Sequence, residues 1–84
     1  MPDFLAALAL YYLCDVTAAT HGLTQTQMSR CMQTYELVKN SFAPDDPDLG
    51  TRNVSAYTAF KAWEAQNHAL VAQLRMQAHQ HILQ

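Results

Sequence analysis

Glycine and proline are scarce in this chain, with two of the first and three of the second among 84 residues. That scarcity excludes a collagen-like repeat and a low-complexity linker. Charge is thin as well. Asp, Glu, Lys and Arg make up 14% of the residues, and five Lys+Arg stand against seven Asp+Glu, for a net charge of −2. So few basic groups give a weak electrostatic footprint for nucleic acid. Two cysteines are too few for a disulfide-dense mini-protein, and a sequence that is half hydrophobic is not a disordered tail. The longest apolar run, Phe4 to Cys14, has eleven residues, whereas a membrane-spanning helix needs about 20. Asp3 precedes that run where a secretory leader would carry basic residues. These features predict a soluble, cytoplasmic protein in which Cys14 and Cys31 are reduced thiols that pack as small hydrophobes.

Helical punctuation is what the sequence does contain. Asp3 is placed to cap a first helix over 3–20, and His21-Gly22 supplies the stop. Thr24, with Gln27 three residues on, forms a capping box that opens a second helix over 25–42. Two prolines and a glycine make 43–52 a loop. Asn53 or Ser55 then caps a third helix continuing to about 83. The expected fold is a single all-α domain over 1–84. It consists of an antiparallel helical hairpin plus one long C-terminal helix, a three-helix bundle completed by dimerisation.

Plotted at about 100° per residue, the first helix is apolar nearly all round, so two further helices cannot cover it. The second has one stripe: Met28, Cys31, Met32, Tyr35, Val38 and Phe42. The third has a stripe of Phe60, Trp63, Leu70 and Leu74, with Asn67 in its middle and a facing set of small residues (Ala62, Ala65, Ala69, Ala72) that serve as helix-forming filler. The distal half of that helix has nothing of its own to pack on, which leads to a symmetric homodimer. The expected interface is Phe60, Trp63, Asn67, Leu70 and Leu74, extended by Ile82 and Leu83. Asn67 would set register, and Trp63 and Tyr57 would be the aromatic anchors.

A hairpin turn centred near residues 22 and 23 places Cys14 opposite Cys31, where a disulfide could form if the α-carbons approach to about 6 Å. The same register pairs Asp15 with Arg30, and sets Ala7 against Val38 and Leu10 against Tyr35. Catalytic and metal chemistry find no foothold. The histidines lack ligand spacing, and Cys14 has no adjacent base. Asp45, Asp46 and Asp48 open like a calcium loop, but Gly50 arrives too early and Tyr57 stands where the closing glutamate belongs. The expectation is therefore a non-enzymatic interaction module without cofactor or metal. It would act as a homodimer that sequesters or bridges another protein, away from membranes.

One local resemblance points elsewhere. The segment from His21 to Met32, HGLTQTQMSRCM, resembles the entry to a helix-turn-helix of the phage-repressor type. The resemblance implies a DNA-binding transcriptional regulator whose recognition helix is Gln33 to Asn40, with Thr34, Glu36 and Asn40 near base edges.

Overall fold

The computed structural model describes residues 2–44 and 47–81. Among them the chain is all helical, with four helices where three were expected: α1 (Pro2–Thr20), α2 (Gln25–Asn40), α3 (Leu49–Gln66) and α4 (His68–Gln80). The interface positions Ile82 and Leu83, and the loop residues Asp45 and Asp46, lie outside the described residues. Asp3 is inside α1 and not before it, because Pro2 is already suited to a first helical turn, where no N–H is needed.

The hairpin forms as its punctuation requires. Gly22 takes a positive φ of 77°, a conformation that costs residues with a Cβ about 1–2 kcal/mol. The N–H groups of His21 and Gly22 both donate to the Thr17 carbonyl, at 2.8 and 3.0 Å. At the start of α2 the Gln27 N–H donates to Thr24 Oγ1 at 3.1 Å, and the Thr24 N–H donates to Gln27 Oε1 at 2.9 Å. α2 runs unbroken through Gln33, so the turn that would separate a recognition helix from its predecessor does not form.

α3 begins four residues before Asn53. Its N-cap is Asp48, whose carboxylate accepts from the Thr51 N–H at 3.1 Å and also from the Thr51 hydroxyl. These two bonds hold the exposed Asp48 carboxyl below the usual carboxylate range, the hydroxyl contributing most. A satisfied cap of this kind outweighs the cost of Gly50 in the first turn.

The long C-terminal helix is broken at Asn67, which sits at φ −122°, ψ 34°. Its Nδ2 donates to the Trp63 carbonyl at 2.9 Å, as does its backbone N–H at 3.0 Å. This is the local competition by which asparagine disfavours a helix interior. The break lets α4 fold back over α1, so the tail finds its packing at home. An uninterrupted helix would have left Leu74 and Ala78 wet, forfeiting roughly 25 cal/mol per Å² of apolar surface.

Every helix contributes to the core: Leu8, Tyr12 and Val16 from α1, Val38 from α2, Phe60 from α3 and Ala78 from α4. An aromatic cluster closes one end. Phe4 meets Phe42 and Trp63 edge-on at centroid distances of 5.7 and 5.6 Å, a geometry aromatic quadrupoles favour. Tyr11 packs on Tyr35 at 5.7 Å and on Phe60 at 5.5 Å.

Candidate interaction surface

The hairpin seam brings Cys14 and Cys31 together, and they are joined. Their Cα atoms are 5.8 Å apart and the sulfurs form a disulfide. This corrects the expectation of reduced thiols. Antiparallel packing sets the two α-carbons within the range a bridge requires, and hydropathy alone cannot report that. Elsewhere the seam is shifted by one residue on α1. Tyr35 faces Tyr11, while Leu10 points away and is half exposed.

Asp15 does not pair with Arg30, which lies exposed. Its partner is Arg75 of α4, whose Nη1 donates to Oδ2 at 2.7 Å. The Arg75 guanidinium also lies over the Tyr12 ring, 5.6 Å from its centroid. Beneath it Tyr12 Oη donates to Glu64 at 2.6 Å, and Lys61 Nζ donates to the same carboxylate at 3.0 Å. Burial, then the Glu64 bond, raises the Tyr12 hydroxyl far above the ordinary tyrosine range. Burial likewise raises Tyr11, and the Glu64 bond raises Lys61. The result is a neutralised chain of partners that fastens α1 to α3 and α4. Tyr12 is fully buried, so its hydroxyl is not offered to a solute. Glu64 is half-buried. No pattern in the sequence marked the Tyr12–Glu64 contact, because its members are 52 residues apart.

The residues expected at a subunit interface have mixed positions. Phe60 is fully buried in its own chain, and Trp63 is packed between Phe4 and Phe42. Both pack into the chain's own core, Phe60 completely and Trp63 in part. Asn67 lies at the helix break. Tyr57 is exposed, with Lys61 Nζ 5.7 Å from its ring centroid. Ala62, Ala65, Ala69 and Ala72 are exposed, consistent with filler. Leu70 and Leu74 are half-buried on α4, and Leu74 borders a shallow groove of about 240 Å³ between α1 and α4. Its lining includes Ala9, Leu10 and Leu13 on one side and Leu74, Ala78 and His81 on the other.

Large apolar side chains remain outside the core. Leu5 and Leu10 on α1 are each 52% exposed, and Met28 and Met32 on α2 are 53% and 60% exposed. Among the described residues no cluster of three or more His, Cys, Asp or Glu could hold a metal ion, and no helix is long and apolar enough to cross a membrane. Compared with known protein families, curated proteins and solved structures, the chain matches none.

Proposed function

We propose that this chain is a small non-enzymatic helical module that works by protein–protein association, as a homodimer able to bridge or sequester another protein. The observation that carries this reading is the set of large apolar side chains that the folded subunit leaves half exposed or more on α1 and α2. Exposed large apolar side chains are the raw material of an interaction site where they join into a patch, and helix faces are a common currency of such recognition. The bridge between Cys14 and Cys31 supports action in an oxidising compartment, where disulfides persist, over the cytoplasmic location that reduced thiols would accompany. The unbroken α2 and the shortage of basic residues weigh against the DNA-binding alternative.

Static light scattering on the oxidised chain tests the reading. A mass about twice 9.4 kDa is expected, and a mass of 9.4 kDa at every concentration refutes self-association.

A further inference from the structure

The tip of the hairpin has little besides its covalent bridge to hold it to the body of the protein. From Ala18 to Thr34 no residue is buried, and only Leu23, Gln27, Cys31 and Thr34 are partly covered. Core side chains stand on either side of this stretch, Val16 before it and Val38 after it. Packing resumes at Tyr35, which lies against Tyr11. The side-chain bonds of the tip are local. Thr20 Oγ1 donates to the Val16 carbonyl and Thr34 Oγ1 to the Arg30 carbonyl, and the Thr24–Gln27 cap is exposed. A segment with few buried apolar contacts opens at small cost, and a helical piece of about ten residues is marginal by itself. The bridge ties this segment down, since Cys31 lies within it and Cys14 lies just before it on α1.

We infer that the Cys14–Cys31 bridge is a redox-controlled latch, whose reduction releases residues 18–34 while the core shared by the four helices stays folded. Neither cysteine is buried, and accessible bridges are the ones that thiols reduce. The reductant is a dithiol. One of its thiolates attacks a bridge sulfur, the S–S bond breaks, and the other cysteine departs as a thiolate. The second thiol of the reductant then displaces the first cysteine from the mixed disulfide. Two electrons and two protons pass to Cys14 and Cys31, and the reductant leaves as its own disulfide. The release is an order-to-disorder switch of one segment. Val16 and Val38, buried at its two ends, confine the opening to the tip. The latch works within one chain and stands apart from the self-association proposed above.

Arg30 reports the state of the latch, because it is exposed and is the only Lys or Arg from Ala18 to Thr34. The full chain is equilibrated with oxidised glutathione, then digested briefly with trypsin with and without prior dithiothreitol, and the products are read on reducing gels. Cleavage after Arg30 should quicken by about tenfold or more on reduction, while cleavage after Lys61 and Arg75 changes by less than about twofold. Hydrogen exchange gives a second readout. Amides of 25–34 should lose protection in the reduced chain, and those of 7–13 and 56–64 should keep it. Cys14→Ala combined with Cys31→Ala should match the reduced wild type and ignore dithiothreitol. The wild-type measurements stand whether or not that variant folds. Equal cleavage after Arg30 in both states overturns the latch. Loss of protection throughout the chain on reduction also overturns it, because the bridge would then hold the whole fold and not its tip. A chain that keeps two free thiols after oxidised glutathione has no latch to open.

Discussion

At Gly22 the chain reverses with φ at 77°, and the helix that follows is closed by a reciprocal side-chain cap. At Asn67 it breaks with φ at −122°, and no side-chain bond caps the helix that follows. The first joint is a local device. A residue without a Cβ and a Thr/Gln pair would stop one helix and start another in most surroundings. The second is weakly specified by its own residues and is held by what α4 does after it, laying Arg75 on Asp15 and Ala78 into the core. The two halves thus differ in where their shape is decided: α1–α2 within the hairpin, α3–α4 through contacts reaching back to α1.

The sharpest way to break this contrast is to remove a contact that reaches across the halves. Phe60→Ala should cost about 4 kcal/mol in urea unfolding, independent of protein concentration, because Phe60 is buried inside its own chain. A loss that scales with concentration would return Phe60 to a subunit interface. Next comes the staple of the local half. Replacing Cys14 and Cys31 together with alanine should cost about 3 kcal/mol for a bridge closing a loop of this size, with the bridged residues 17 apart. An unchanged midpoint would mean that caps and packing alone hold the hairpin.

Tyr12 links the halves, so Tyr12→Phe should cost about 1–2 kcal/mol, seen as a lower melting temperature. Its pH signature has a definite sign. The folded protein holds the Tyr12 proton far above the ordinary value of about 10, while the unfolded chain releases it there. Above that pH the folded state binds more protons than the unfolded one, so stability is complete below pH 10 and falls as pH rises beyond it. Tyr12→Phe should flatten part of that alkaline fall, leaving the shares that belong to Tyr11 and Lys61.

The two joints can then be compared directly. Gly22→Ala should cost about 1 kcal/mol, since it forces a Cβ into the left-handed region, although nothing within 4 Å obstructs that Cβ. Asn67→Ala should shift stability by no more than about 0.5 kcal/mol, because a better helix former offsets the lost side-chain bond. Detachment of α4 in that variant, seen as loss of its amide protection in hydrogen exchange, would mean that the Asn67 side chain itself imposes the break.

Much of this was legible residue by residue. Thr24, Gln27 and Gly22 announce the hairpin, and the turn position alone brings Cys14 opposite Cys31. Asp48 carried an equally local signal, with Thr51 three residues on, but Pro44, Pro47 and Gly50 pointed to a longer loop. The candidate surface was legible only in part. An α1 apolar on every side implies uncovered surface, and Leu5 and Leu10 supply it, yet the stripe on α3 turned inward. Phe60 and Trp63 look the same in a sequence whether they face a neighbour's core or their own.

Composition and spacing determined by themselves that this chain is helical, where its hairpin turns and that its first helix carries more apolar surface than a hairpin can hide. Backbone caps and helical periodicity act over three or four residues, so they are written along the chain. Tertiary structure alone decided that the tail returns onto α1, that Arg75 and not Arg30 takes Asp15, and which leucines stay outside. Those outcomes depend on which distant surfaces bury the most apolar area together.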